Sequence, residues 1–586
     1  MVSGSSDESG RAAAVARWTV EIALIAAIFA AAGAWPVPDV NEPVYLTKAR
    51  HAVDPTWAAG DFFLETPDAH GVFYRVFGPL AATLPLDQAA WVGRFAGWLA
   101  LAVGFRHVIG PLAATSLGRI AAAALFALAL RCTTMAGEWV IGGCESKVFA
   151  WACVLGGLGE LCRGRPASAW LAMGCGAALH PIVGGWGMIA LVPAWWLTRT
   201  LPAFIEPPRK EALSASEGIV TRTAGPRTLG PHAPRACTDP LASPQRLATT
   251  TRRFDWMSYS QVVTVACLVG GLIAAAAGVV PVLGLSGGAS AAERAEAARI
   301  YVVERLGHHL LPRTFAEPLV ARYLLAIVAW WLLTRQARRT PARTRLDTLT
   351  VVALGVSLTG LAIAAAEPFA PATVHGLLRF YWFRLADVMV PLALAAAAVA
   401  VLEDDAACSR VVPVRPAAVR WIVALLLSAD LAAQSAHWPL PGRERLAARA
   451  DSKLDAAAWV DVCQWVRSNT PPEARFLTPR GAGSFTWRTD RPEVVSWKNS
   501  PQDARSLIEW RRRIVDVFSP TGRLGDMGAS VAAIGPERIR EVAATYGATH
   551  AIVPMPAAWQ PELPFERVYA NAGFAVYRID RRPVAP

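Results

Sequence analysis

The sequence predicts a mainly α, polytopic helical membrane protein of about eleven spans, ending in a small C-terminal α/β domain outside the bilayer. Three observations carry that prediction. Apolar stretches of bilayer-crossing length recur along the chain and stop near residue 438. The following 150 or so residues are polar and carry alternating helix and strand patterns. Hydrophobic residues make up 54% of the 586 and charged residues 17%, with mean hydropathy +0.33, a balance that a soluble chain of this length rarely carries. Tryptophan is frequent, with 23 copies, many at span ends (Trp18, Trp35, Trp91, Trp98, Trp151, Trp196, Trp331, Trp421). An indole ring favours the headgroup layer, where its body is dry and its N–H is wet.

Taken in order, residues 1–17 form a cytoplasmic N-terminus and residues 18–438 the membrane domain. Spans are expected at 18–34, 89–108, 119–135, 148–162, 166–180, 182–198, 259–283, 318–334, 347–366, 384–402 and 420–437. Residues 72–84 are apolar but short, and read as an interfacial or re-entrant helix. Arg11, Arg17, the apolar run 22–32 and Ala32-Gly33-Ala34 also have the form of a signal peptide with its cleavage site. Arginine gathers in loops 106–119, 163–165, 199–258, 335–345 and 403–420, which places those loops and the N-terminus inside and the tail outside. Loop 199–258, rich in Pro, Thr, Ser, Ala and Arg and without periodicity, reads as a flexible cytoplasmic insertion.

The tail, residues 439–586, has its own elements. Residues 457–468 (AAWVDVCQWVRS) are helical in period and are stopped by Asn469-Thr470-Pro471-Pro472. Residues 475–478 form a short strand, 536–546 a helix with Gly547 as its cap, and 550–553 a strand. Residues 565–569 and 575–579 pair as a hairpin across 571–573.

Composition excludes several classes. The net charge of +12 comes from arginines dispersed among loops, with no long basic tract and no nucleic-acid module, so a membrane with anionic lipids accounts for it better than nucleic acid. Nine cysteines form no CxxC pair or metal-ligand spacing and read as small core residues. His308-His309 lacks a third ligand at metal spacing.

The first outer loop, 36–70, is densest in functional side chains. Asp39 and Glu42 stand three apart directly after the first span and share a face if the backbone is helical. Asp54, Asp61, Glu65, Asp68 and His70 follow. Paired carboxylates at a bilayer surface serve as a general base, or hold a divalent metal, Mg or Mn, against a phosphate oxygen. The plainer reading is a loop that is polar because it is wet. Glu138, Glu145 and Lys147 occupy another outer loop, where Gly142-Gly143 permits close backbone approach. His180-Pro181, followed by Gly184-Gly185, sits between two short spans, where a broken helix lines a cavity. In the tail, Trp487, Trp497, Lys498 and Trp510 either stack on sugar faces or bases, or form core and docking contacts.

The layout resembles the GT-C superfamily of membrane glycosyltransferases: many spans, a long first outer loop with acidic residues just after span one, and a soluble outer tail. DVCQWVRSNTPPEARFLTP (461–479) is similar to the W-I-x-x-N-T-P-x-x-A-x-F-L opening of such tails, and THAIVP…FERVYANAGFAVYRI to their final strands. The whole chain also resembles a domain-of-unknown-function family of large bacterial membrane proteins. The resemblance implies a protein of the bacterial inner membrane that moves a sugar from a polyprenyl-phosphate donor lipid to an acceptor at the outer face. It implies that Asp39 activates the acceptor hydroxyl, with Glu42 beside it, while Arg379 and Arg384 take the leaving phosphate. Arg384 also stands three residues before Asp387, close enough for simple neutralisation. A transporter is the main alternative and calls for paired halves with repeated hydropathy; a non-catalytic envelope assembly protein is the other.

Overall fold

The computed structural model describes residues 4–200, 259–285, 287–442, 446–555 and 563–579. From residue 201 on, the expected cytoplasmic insertion lies outside the described residues. Among the described residues, eight helices are long and apolar enough to cross a membrane: Gly10–Gly33, Ser116–Thr133, Pro181–Thr200, Ser260–Gly284, Glu317–Gln336, Pro341–Ala365, Arg384–Glu403 and Pro416–Ser435. This is an integral membrane protein with eight candidate spans by length and apolarity among the described residues, against the eleven or so expected. The other three segments are helices too. Leu86–Ile109 is diluted by Asp87, Arg94 and Arg106, while Ser146–Cys162 and Pro166–Leu179 have only 17 and 14 residues.

The eight differ in depth. Arg384–Glu403 is central, with 78% of its apolar window buried, whereas Pro416–Ser435 is peripheral at 6% and leaves Trp421 and Leu425 open. Such an outward apolar face suits lipid. The first helix is built into the bundle: Ile25 and Phe29 are fully buried, and Glu21 pairs with Arg106 and Arg119. Of the expected headgroup tryptophans, Trp18, Trp196, Trp331 and Trp421 are exposed. Trp98 and Trp151 are core residues instead, their indole N–H groups donating to the Gly142 carbonyl (3.0 Å) and to Glu138 (3.1 Å).

Loops sort to two ends. At one end Arg345 donates to the Cys162 carbonyl (2.9 Å), Glu403 accepts from the Ala114 and Thr115 amides (2.7 and 2.8 Å), and Arg410 reaches Gln336 (3.1 Å). At the other end lie the first long loop, residues 134–145 and the tail.

The tail carries a four-stranded mixed sheet: β1 (Phe476–Leu477), β2 (His550–Pro554), β3 (Glu566–Ala570) and β4 (Phe574–Arg578), in the order β1-β2-β4-β3. β1 runs parallel to β2, and β4 antiparallel to both β2 and β3. Helices Ala456–Asn469, Ala504–Phe518 and Pro536–Tyr546 cover the sheet. Gly547 (φ +72°) ends the last of these with its amide on the Ala543 carbonyl. Gly71–Thr83, the expected short helix, packs on Glu42–Val53.

Candidate functional site

After the first helix the chain turns sharply and begins the helix Glu42–Val53, so Asp39 and Glu42 are not on one helical face. Asp39 sits in the turn, and its amide donates to Glu42 Oε2 at 2.7 Å. The two carboxylates then take different partners. Glu42 receives Arg94 Nε and Nη2 at 2.7 Å each, plus the Cys144 amide at 2.8 Å, and both Glu42 and Arg94 are fully buried. Every lone-pair direction of Glu42 is engaged. A Cβ on Gly143 would come within 2.7 Å of Glu42 Cδ, which explains a glycine there.

Asp39 is held more loosely. Its Oδ1 accepts from the Val40 amide (2.7 Å) and lies 3.4 Å from Arg449 Nε. The carboxyl-terminal side of the membrane body clamps this turn: Trp35 stacks on His437 (3.9 Å) and the Ala450 amide donates to the Pro38 carbonyl (3.3 Å). Among the described residues, no group of three or more His, Cys, Asp and Glu side chains converges as a metal site, and Glu42 is taken by Arg94. The pair therefore does not fit the divalent ion that the sequence suggested.

Glu145 is fully buried beside this turn, accepting from Asn41 (3.0 Å) with Lys147 at 3.6 Å. Burial pushes its carboxyl up, and Lys147 opposes the shift. Arg384 pairs with Glu138 (2.8 Å) and lies over the Tyr381 ring (3.9 Å). The expected Arg384–Asp387 neutralisation is corrected: Asp387 instead accepts from the Met135 and Ala136 amides at 2.8 and 2.9 Å. Arg379 ends the helix Pro371–Leu378 and has no side-chain partner among the described residues.

His70 and His180 meet, ring centroids 4.9 Å apart. His70 bonds Asp68 at 2.6 Å, and Lys48 stands 3.6 Å from the same carboxylate. Burial would raise Asp68, but His70 and Lys48 outweigh it and hold the carboxyl well below its usual range. Burial, then His70 and Arg384, pushes His180 well below the ordinary histidine range. Gly184 serves the packing of adjacent helices, since a Cβ there would strike the Ala177 backbone.

Asp61 belongs to a different place. It accepts from Thr486 Oγ1 (3.0 Å) and the Glu493 amide (3.1 Å), locking the first loop to the tail. Burial, then Asp61, raises Glu493 to about 8. Trp57 donates to Asp490 (3.0 Å) and Trp487 to Asp87 (2.8 Å), so Trp487 docks the tail, while Trp510 is a core residue.

Between the loops and the tail lies a cavity of about 1330 Å³. Val40, next to Asp39, lines it, with Glu304, Arg305, His308, Arg449, Lys453, Arg480, Trp497 and Lys498 among the other walls. Sequence reasoning singled out Trp497 and Lys498 and missed the arginines and Lys453, which come from separate segments. Arg94 carried a signal: a charge in an apolar helix needs a partner. The geometry thus offers a buried carboxylate, Asp39, behind the wall of a basic cavity and joined to it through Val40 and Arg449, next to a buried polar cluster at the helix ends.

These features define a multi-span helical membrane protein with a folded tail docked on its loops. Within that tail, residues 457–517 match the family described as Domain of unknown function (DUF6798), so the chain carries a DUF6798 domain in its C-terminal region. The matched segment holds Arg480, Glu493, Trp497 and Lys498. No curated protein matches the chain.

Proposed function

We propose that this chain is a membrane glycosyltransferase that moves a sugar from a polyprenyl-phosphate donor to an acceptor at the outer face of the bacterial inner membrane. The observation that carries the reading is the position of Asp39. This carboxylate follows the first membrane helix, escapes the ion pair that engages Glu42, and adjoins a large cavity through Val40. In the reaction Asp39 accepts the proton of an acceptor hydroxyl as its oxygen bonds to the anomeric carbon. The bond from that carbon to the lipid phosphate breaks, and the phosphate leaves with the electron pair. Arg379, without an ion pair among the described residues, and Arg449 supply positive charge to the leaving group. Glu42 acts as a positioning residue, fixing the turn through the Asp39 amide. In this reading Leu86–Ile109, Ser146–Cys162 and Pro166–Leu179 complete eleven crossings, with Arg94 tolerated because Glu42 neutralises it.

The test is transfer of labelled sugar from bacterial membrane lipids by the purified protein, wild type beside Asp39→Asn and Glu42→Gln. Asp39→Asn is expected to lose at least about 100-fold in rate while melting like wild type. Glu42→Gln is expected to lose thermal stability together with rate. No transfer by wild type across a broad donor panel would sink the enzyme reading and favour a transporter or an assembly protein.

A further inference from the structure

We infer that the cavity between the tail and the loops binds a water-soluble ligand carrying two or more negative charges, of the size of a short acidic oligosaccharide. Five cationic side chains line it: Arg305, Arg449, Lys453, Arg480 and Lys498. Two carboxylates share the wall, but both are occupied elsewhere. Glu304 pairs with Arg299 and Arg511 at 2.8 Å each, and Asp455 caps the helix Ala456–Asn469 through the Ala458 amide.

The cations are left short of acceptors. Arg449 has Asp39 at 3.4 Å. Among the described residues, Arg305 donates only to the Lys498 carbonyl (3.0 Å), and its buried Nε has no partner. Arg480 and Lys498, both half-buried, have no side-chain acceptor among the described residues, and Lys453 stands exposed at the mouth. Gathering uncompensated positive charge in a partly desolvated space is unfavourable unless something negative occupies it. Burial, then Arg305, with Lys147 and Lys453 in support and Glu145 opposing, brings Lys498 down to about 7. An incoming anion reverses that shift and draws a proton onto the amine.

Size and access narrow the ligand. None of the eight candidate membrane helices contributes to the lining, so the ligand arrives from water rather than from the acyl region. The cavity exceeds the roughly 300–1,000 Å³ typical of pockets for one small molecule, which leaves room for several sugar units. Gly481, Gly483 and Gly573 bring backbone to its wall, and Trp497 offers a ring face beside Arg305. Resting on the transfer reaction proposed above, this ligand is the acceptor, presented to Asp39 past Val40.

The experiment measures acylation of Lys498 near neutral pH by mass spectrometry, on the full chain in lipid nanodiscs with no donor present. The probes are tri-galacturonate, inorganic tripolyphosphate and neutral maltotriose. Either polyanion should slow Lys498 acylation several-fold, and which of them does so tells carboxylate from phosphate recognition; maltotriose should not slow it. Arg305→Gln and Arg480→Gln, each melting like wild type, should raise the concentration needed at least tenfold. Protection by maltotriose equal to that by the polyanions, no protection by either polyanion, or indifference to both substitutions would overturn the assignment. Protection without any transfer would leave the anion site standing and sink the enzyme reading, whereas transfer without protection would do the reverse.

Discussion

Glu42 and Arg94 show how one residue's role turns on its partner. Arg94 lies in the middle of an apolar helix and is fully buried, where an unpaired guanidinium would be very costly. Its bidentate bond to Glu42 makes that position tenable and ties the first long loop to the helix Leu86–Ile109. Arg94→Met is therefore expected to destabilise the protein by about 3–5 kcal/mol, because it strands a buried carboxylate. Adding Glu42→Gln should recover part of that loss, since the amide still accepts from the Cys144 amide; tryptophan-monitored thermal unfolding of the single and double variants reads both. If the single variant melts like wild type, the pair does not anchor the first loop. The sequence made Asp39 and Glu42 visible as a pair but not their separate fates. Spacing reports which residues are neighbours along the chain, whereas Arg94 lies 52 positions away from Glu42. Arg384 shows the same limit: its nearest acid along the chain is Asp387, yet it pairs with Glu138 while Asp387 satisfies backbone amides.

At the scale of elements, the tail was the most legible region because its signals are local. Gly547 at positive φ, Pro536 opening a helix and the turn before Phe574 each mark an element boundary within a few residues. What joins the tail to the first loop was not legible, since Asp61 and Glu493 are more than four hundred residues apart. That seam predicts a pH response. Glu493 titrates at about 8 when docked, above its ordinary 4.5, so the docked state holds a proton that a released tail loses in between. The contribution is present in full below the lower value and is lost as pH rises through about 8. Hydrogen-exchange protection in residues 57–66 and 484–494, taken relative to the intrinsic exchange rate at each pH, is expected to fall as pH rises from 4.5 to about 8 and to level off above that, and Glu493→Gln should flatten the fall. An unchanged profile in the Gln variant would assign the response to another group.

Across the whole molecule, charge and contact agree on two ends. The arginine-rich loops that the positive-inside rule gathers on one side are the ones that touch each other through Arg345, Glu403 and Arg410. The acidic first loop and the tail meet at the opposite end through Trp57, Asp61 and Trp487. The span count was harder to read, because Arg94 lowers the apolarity of one helix and two others are short. Protein neighbours shield such helices, so they need less apolar character than a helix facing lipid. If Leu86–Ile109, Ser146–Cys162 and Pro166–Leu179 complete eleven crossings as proposed, with the arginine loops in the cytoplasm, the tail lies outside. Ser468 is exposed on the tail and Ser409 at the arginine end, both away from the cavity. In intact cells, a membrane-impermeant maleimide is therefore expected to label Ser468→Cys and to spare Ser409→Cys until the membrane is opened. Labelling of Ser409→Cys alone would invert the protein and place Asp39 and the basic cavity in the cytoplasm, where the acceptor would have to be a cytoplasmic polyanion. Labelling of both would mean an end assignment that the observed loop contacts do not allow.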